Sequence, residues 1–260
     1  FLLVALVYFI PVLPSPVMQQ VDNYFAELIL LSLAVVLFAS AALRSRDATS
    51  RNFWILLCGA FCCWLMAHLL GYGIRFETPW LFDFVKDVLL LGMNCLAVIA
   101  VDLRPGLIKS PLQTLRGRLA ALSSVLLIVG VFGYTALVPA LAGLQAYESP
   151  FEVYAILDAY IAIRYLAQAR LSTSRAWRMT LALVGSGFAF ITVADLMVVL
   201  YDSGIVTYEP GQPLNLLWFV FYVPLYLASR VTSGSPQVLP PAERGDWSNS
   251  LNLGPLLAYS

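Results

Sequence analysis

Long apolar runs separated by short polar turns dominate this chain of 260 residues. The hydrocarbon core of a bilayer is about 30 Å thick, so a helix needs about 20 mostly apolar residues to cross it. The runs that fit this pattern are 1–13, 25–43, 53–74, 80–101, 119–144, 151–169, 177–201 and 214–228. The short first run begins without Met and is interpreted as the remaining end of a helix. The pattern predicts an all-α protein, a polytopic transmembrane helical bundle of about eight helices over residues 1–230.

Composition supports this prediction. Hydrophobic residues make up 60% of the chain, charged residues 12%, and the mean hydropathy is +0.82. A soluble domain carries about 25% charged residues, so this chain has too little polar surface to cover a globule in water. The formal net charge is zero, which gives no basic footprint for nucleic acid. The lipid bilayer is the predicted surroundings.

The basic residues indicate an orientation, because Lys and Arg concentrate in cytoplasmic loops. They fall in alternate connections between the runs, and the other connections hold few of them. The basic set is Arg44, Arg46 and Arg51, then Arg104, Lys109, Arg116 and Arg118, then Arg170, Arg175 and Arg178, with Arg230 after the last run. This alternation predicts that both ends of the bundle face the cytoplasm.

A faint internal repeat runs through the bundle. The third run is preceded by SRNFW at 50–54 and the seventh by SRAWR at 174–178, and Ala-His at 67–68 corresponds to Ala-Asp at 194–195. Two parallel four-helix repeats would produce this pattern, and chance similarity between apolar segments explains it equally well. Residues 231–260 are rich in Pro, Ser and Gly and are interpreted as a cytoplasmic linker, followed by the start of a further apolar segment.

Ionisable residues inside a spanning helix are costly and usually face the bundle interior or water. Several lie towards the predicted outer face and would line a ligand-binding pocket open to that side. The candidates are Glu27, His68, Asp87, Asp158, Asp195 and Asn215. The alternative is that such residues snorkel to headgroups or hold helices together by hydrogen bonds. For His68, Asp158 and Asp195, which are set deepest, both interpretations stay open.

Other polar and small residues have simpler interpretations. Arg164 is expected to snorkel to the cytoplasmic side, and Asp83 is expected to pair with Lys86 at i,i+3. The cysteines, Cys58 among them, are interpreted as small apolar residues without a disulfide. The Gly-Ser-Gly run at 185–187 suits close helix packing.

No catalytic, metal or cofactor site is predicted, and the bundle itself is not expected to be an enzyme. A single histidine cannot supply both axial ligands of a bis-histidine haem, and no HExxH pair is present. The last run lacks the deep lysine that a retinal pigment requires.

Four stretches, FEVYAILD at 151–158, RAWR at 175–178, ADLM at 194–197 and PLNLLW at 213–218, resemble the N-terminal membrane regions of bacterial signalling proteins. In those proteins a helical bundle precedes a diguanylate cyclase (GGDEF), cyclic-di-GMP phosphodiesterase (EAL) or histidine kinase module. The resemblance spans roughly 51–230. It implies signal reception in a bacterial inner membrane, with a small-molecule or lipid ligand, and is compatible with a homodimer. The alternatives are a secondary transporter, in which Pro139 and Pro224 would each kink a helix, and an accessory subunit of a larger membrane complex.

Overall fold

The computed structural model describes residues 26–73, 79–103, 115–141, 151–206 and 217–231. In these ranges all regular structure is helical, which confirms the all-α prediction. The helices are α1 (Glu27–Arg44), α2 (Ala48–Gly73), α3 (Pro79–Asp102), α4 (Leu115–Phe132), α5 (Phe151–Leu171), α6 (Arg175–Asp202) and α7 (Leu217–Arg230). Each coincides with one predicted run. The run 1–13, Asn215 and the linker after residue 231 lie outside the described residues, so the count of eight and the repeat stay predictions.

Five of these helices, α1, α2, α3, α4 and α6, are long and apolar enough to cross a membrane. The chain is therefore compatible with a transmembrane protein. Helix α5 has 21 residues but is more polar, because it carries Glu152, Asp158, Arg164 and Arg170. Its polar side chains need partners on neighbouring helices, and those partners define the polar clusters described below.

The helices pack in a closed circuit. Helix α1 packs on α2, α2 on α3, α3 on α5, α5 on α6, α6 on α7, and α7 on α1, while α4 lies against α3 and α5. Of the five apolar helices, α4 buries the smallest share of its span. The most extensive contact joins α5 to α6. There a Cβ atom on Gly185 would lie 2.9 Å from Leu166 Cγ, which confirms the close packing predicted for this glycine.

Aromatic side chains fill the centre of the circuit. The ring of Phe53 on α2 meets Trp177 on α6 edge-on at 5.2 Å. Trp64, further along α2, stacks on Phe221 of α7 at 5.2 Å. Such rings bury large apolar areas and add pairwise attraction between offset or edge-on faces. They tie α2 across the interior to α6 and α7.

Both prolines predicted to kink a helix lie shortly after irregular backbone. Helix α4 passes through a π-helical turn at Gly133–Leu137 and continues as Val138–Leu141, which contains Pro139. Helix α7 is interrupted between Leu217–Val220 and Tyr222–Arg230. Proline has no backbone N–H, so the carbonyl four residues earlier loses its helical partner. For Pro139 that carbonyl lies within the π turn, and for Pro224 it belongs to Val220.

The contacts place the described basic turns, those after α1 and before α6, at one end of the bundle. Arg44 Nη2 at the end of α1 donates to the Ser229 carbonyl near the end of α7, at 3.0 Å. The starts of α2 and α6 meet there through Phe53 and Trp177. We call this the basic end, and the opposite end, where α1 and α5 begin, the acidic end. Which end faces the cytoplasm stays a prediction.

Candidate polar site at the acidic end

The first element of the site is a carboxylate–imidazole contact between α1 and α2. His68 Nε2 lies 3.0 Å from Glu27 Oε1, and both side chains are largely buried, at 19% and 12% exposure. Glu27 is in the first turn of α1, where the helix dipole favours negative charge. His68 lies in the last two turns of α2. The antiparallel packing of these two helices therefore brings together residues that are far apart in sequence.

The second element is a pair of carboxyl groups between α5 and α6. Asp158 and Asp195 lie within hydrogen-bonding reach of each other, and both residues are buried. By the rise of about 1.5 Å per residue, each lies about 10 Å from the acidic end of its helix. The antiparallel register that pairs them also stacks Tyr165 on Phe188. These carboxyl groups therefore lie within the most extensive helix contact among the described residues.

The two elements are linked through Glu27 and α7. Glu27 interacts electrostatically with Asp195 and with the Tyr222 hydroxyl. Tyr222 is only 1% exposed. Within the described part of the chain, neither Tyr222 Oη nor Asp158 Oδ1 has a hydrogen-bond partner. We call Glu27, His68, Asp158, Asp195 and Tyr222 the acidic cluster.

Chemically, the acidic cluster has more negative than positive groups. Its members come from α1, α2, α5, α6 and α7, so a change in charge there acts on most of the bundle. A buried polar atom without a partner costs about 1–3 kcal/mol. An excess of carboxyl groups together with two unpartnered buried oxygens suits a site that accepts a proton or a hydrogen-bonding cation.

The structure brings together four of the six predicted site residues: Glu27, His68, Asp158 and Asp195. Asp87 is fully buried on α3, where it has interactions of its own, and it is not among the residues whose contacts define the cluster. Asn215 lies outside the described residues. Tyr222 was not predicted. The sequence shows only an aromatic residue in an apolar run, and nothing local indicates that its hydroxyl faces carboxylates.

A second polar cluster lies nearer the basic end. Arg164 on α5 forms an ion pair with Asp102 at the end of α3. Arg164 Nη1 also donates to Tyr160 Oη at 2.7 Å and to Ser124 Oγ of α4 at 3.2 Å. We call these four residues the ion-pair cluster.

Arg164 was expected to snorkel to the cytoplasmic side, and its ion pair with Asp102 was not predicted. The predicted run 80–101 stopped one residue short of Asp102, so the partner carboxylate was not recognised. With that carboxylate available on α3, the guanidinium is satisfied inside the bundle and its side chain is only 11% exposed.

One smaller prediction is confirmed. Lys86 Nζ lies 3.4 Å from Asp83 Oδ1, as expected for an i,i+3 pair. The four cysteines are free thiols, and Cys58 Sγ lies 3.6 Å from the Val35 carbonyl on α1. Among the residues that the structure describes, no group of three or more His, Cys, Asp and Glu side chains is arranged to hold a metal ion.

The fold and the clusters define an all-helical protein compatible with a membrane. The chain matches no protein-family model, no curated protein and no solved structure. Its resemblance to the membrane regions of bacterial signalling proteins stays a prediction.

Proposed function

We propose that this chain is a membrane-embedded sensory domain that receives a signal at the acidic cluster and relays it to a cytoplasmic output module. The observation that carries the proposal is the acidic cluster itself. It is buried, its charges are unbalanced, and its members lie on separate helices. One member, Tyr222, belongs to α7, the helix that leads directly to the linker after residue 230.

The proposed orientation follows the positive-inside rule. The basic end, with Arg44 and the starts of α2 and α6, faces the cytoplasm of a bacterial inner membrane. The acidic cluster then lies towards the outer face, with the Asp158–Asp195 pair about 10 Å below the helix ends by the helical rise. A signal from outside the cell would reach Glu27 and His68 first, because both retain some exposure.

Relay through α7 requires that the ligand bind two packings of the bundle with different affinity. Helix α7 contacts α1 at two levels. Tyr226 Oη donates to the Leu30 carbonyl at 2.7 Å, and the Ser229 carbonyl accepts from Arg44 at 3.0 Å. A change in charge beside Tyr222 would shift α7 against α1, and the Arg44–Ser229 contact would carry that shift to the linker.

The test measures the distance between α7 and α1 at the basic end. Spin labels are placed at Leu43 and Leu227, which are both exposed, in a variant whose four cysteines are replaced by serine or alanine. The purified chain in lipid nanodiscs is then exposed to protons, metal cations, amines and carboxylic acids. We expect at least one of them to change the Leu43–Leu227 distance distribution. Asp195→Asn should abolish the change, while Asp202→Asn, an exposed carboxylate on the same helix, should preserve it.

A secondary transporter is the second candidate, and the buried Asp158–Asp195 pair is the observation that favours it, because carboxylates inside a membrane commonly mark ion pathways. The same chain in sealed liposomes separates the two functions. Sensing predicts a distance change without flux of the solute that causes it. Flux that requires Asp195 would replace the sensory proposal with transport, and absence of any distance change would remove the sensory proposal.

A further inference from the structure

We infer that the Asp158–Asp195 pair holds one exchangeable proton, and that protons from the acidic end are the ligand of the acidic cluster. This inference rests on the proposed function and deepens it by assigning the chemical class of the signal. It predicts a sensor of acidity on the outer side of the membrane.

The chemistry of the pair requires a shared proton. An ionised carboxylate accepts hydrogen bonds and cannot donate one. Asp158 and Asp195 lie within hydrogen-bonding reach of each other, so a hydrogen bond between them requires that one carries a proton. Charge repulsion has the same effect. Two adjacent carboxylates in apolar surroundings repel each other, and a proton held by one of them removes this repulsion.

The groups around the pair supply little positive charge. The neighbouring helices contribute Glu27 on α1, His68 on α2, and Tyr222 with Tyr226 on α7. Helix α3, which packs on α5, carries the buried Asp87. The nearest arginine along α5, Arg164, is committed to Asp102. Among the described residues of the acidic cluster, His68 is the one side chain that can carry positive charge, and it already contacts Glu27.

The geometry of the site suits a small balancing cation. Among the described residues, no group of three or more His, Cys, Asp and Glu side chains is placed to hold a metal ion. A proton needs no coordination shell, and Asp158 Oδ1 and Tyr222 Oη, both buried and without a partner in the described chain, can accept or donate as the charge changes. The proton is therefore the cation that this geometry accommodates.

A proton route leads from the pair to the acidic end. Glu27 and His68 lie nearer the helix ends than the pair, and Glu27 interacts with Asp195. On release, the carboxylic O–H bond of the pair breaks and a new O–H bond forms on Glu27, either directly or through one water. The proton then passes to the His68 imidazole or to outer water. Only a proton moves, and no group is oxidised or reduced.

The charge on the pair sets the direction of the response. When the outer pH rises, the shared proton leaves and two carboxylates face each other across α5 and α6. Their repulsion separates the helices at the acidic end. Gly185, in contact with Leu166, holds the same helices together further along. Acidification restores the proton and closes the pair.

Infrared spectroscopy of the full chain in nanodiscs tests the proton directly. We expect the carbonyl stretching band of a protonated carboxylic acid at neutral pH, lost as the pH is raised. The double variant Asp158→Asn/Asp195→Asn should lack the band, and Asp202→Asn should retain it. A wild-type spectrum without the band at neutral pH, or a band that persists in the double variant, would overturn the inference.

A distance measurement tests the response in the same preparation. Spin labels at Ile156 on α5 and Leu196 on α6, both exposed, should move apart as the pH rises in the otherwise wild-type pair. The Asp158→Asn/Asp195→Asn variant should show no pH dependence, because two amides hydrogen-bond without a proton that titrates. A distance that ignores pH in the wild-type pair would contradict the inference.

The two proposals fail in different ways. If another solute changes the Leu43–Leu227 distance and pH does not, the proton inference is wrong and sensing stands. If the infrared band and the pH response are present but liposomes also show proton flux that depends on Asp195, the proton site stands and sensing gives way to transport.

Discussion

The acidic cluster and the ion-pair cluster share α5, but charge is balanced in the ion-pair cluster and unbalanced in the acidic cluster. Asp158 and Arg164 are about 9 Å apart along that helix by its rise per residue. Around Arg164, one guanidinium meets one carboxylate, and the hydroxyls of Tyr160 and Ser124 accept further hydrogen bonds. Around Asp158, carboxyl groups meet each other and two buried oxygens have no partner in the described chain.

The difference separates two uses of polar residues inside an apolar bundle. A balanced cluster has one favourable arrangement, and it fixes α3, α4 and α5 together at a depth where unpaired groups would be costly. An unbalanced cluster changes its charge or its contacts with conditions, so its helices have a second arrangement available. On this basis we propose a structural role for the ion-pair cluster and a signalling role for the acidic cluster.

Breaking the ion-pair cluster should have the largest effect on stability. Arg164→Met keeps an unbranched apolar stem but leaves Asp102 buried without its cation. We expect the free energy of unfolding in detergent to fall by about 3–5 kcal/mol, the usual cost of removing one partner of a buried pair. The measurement is reversible unfolding of the purified chain followed by circular dichroism.

The reciprocal change supplies the control. In the double variant Arg164→Met/Asp102→Asn, the buried charge is gone, and most of the lost stability should return. If the double variant is as unstable as Arg164→Met alone, the arginine stabilises through packing, and the ion pair contributes little.

The second largest effect on stability should come from changing the contact that holds α5 against α6. A Cβ atom at Gly185 would lie 2.9 Å from Leu166 Cγ and 3.0 Å from Tyr165 Cβ. Gly185→Ala should therefore lower the unfolding free energy by about 1–3 kcal/mol through overpacking. Gly130→Ala is the matched control, because nothing lies within 4 Å of that position, and it should leave stability unchanged or higher. Equal stability of the two variants would contradict the close contact.

The helices were predictable because their pattern lies in consecutive residues of the sequence. Length and apolarity alone identified the runs that became α1 to α7, and Pro139 and Pro224 each follow the irregular backbone of their helix by a few residues. The i,i+3 pair of Asp83 and Lys86 was predictable for the same reason, since one helix geometry fixes that spacing.

Partners across helices were much harder to predict. Glu27 with His68, and Asp158 with Asp195, could be proposed as members of one pocket from their depth, but not as contacting pairs. Arg164 shows the cost of a small boundary error, since its partner Asp102 lay just beyond the predicted run. Tyr222 was missed because the orientation of a helix about its axis is set by packing, which a single sequence does not encode locally.

At the acidic cluster, a single substitution should change stability less than at the ion-pair cluster, and in a pH-dependent way. In Asp195→Asn the amide donates to Asp158 without needing the shared proton. Near neutral pH we expect little change. At alkaline pH the free energy of unfolding of the variant should be higher than that of the wild type by about 1 kcal/mol. This is the net value of a hydrogen bond that the wild type has lost. The measurement is unfolding across a pH series, with Asp202→Asn following the wild type as control.

The smallest effect is expected at Asp83, which shares α3 with Asp102 and is likewise paired with a cation. The Asp83 and Lys86 side chains are 43% and 28% exposed, so water or headgroups solvate whichever partner remains. Asp83→Asn should change the unfolding free energy by less than about 0.5 kcal/mol, as exposed pairs usually do. Asp102→Asn, compared with it in the same unfolding experiment, should cost several times more, because the Arg164 side chain that it leaves is only 11% exposed. Equal costs for the two aspartates would mean that burial does not decide how much such an ion pair contributes, and the structural role assigned to the ion-pair cluster would lose its physical basis.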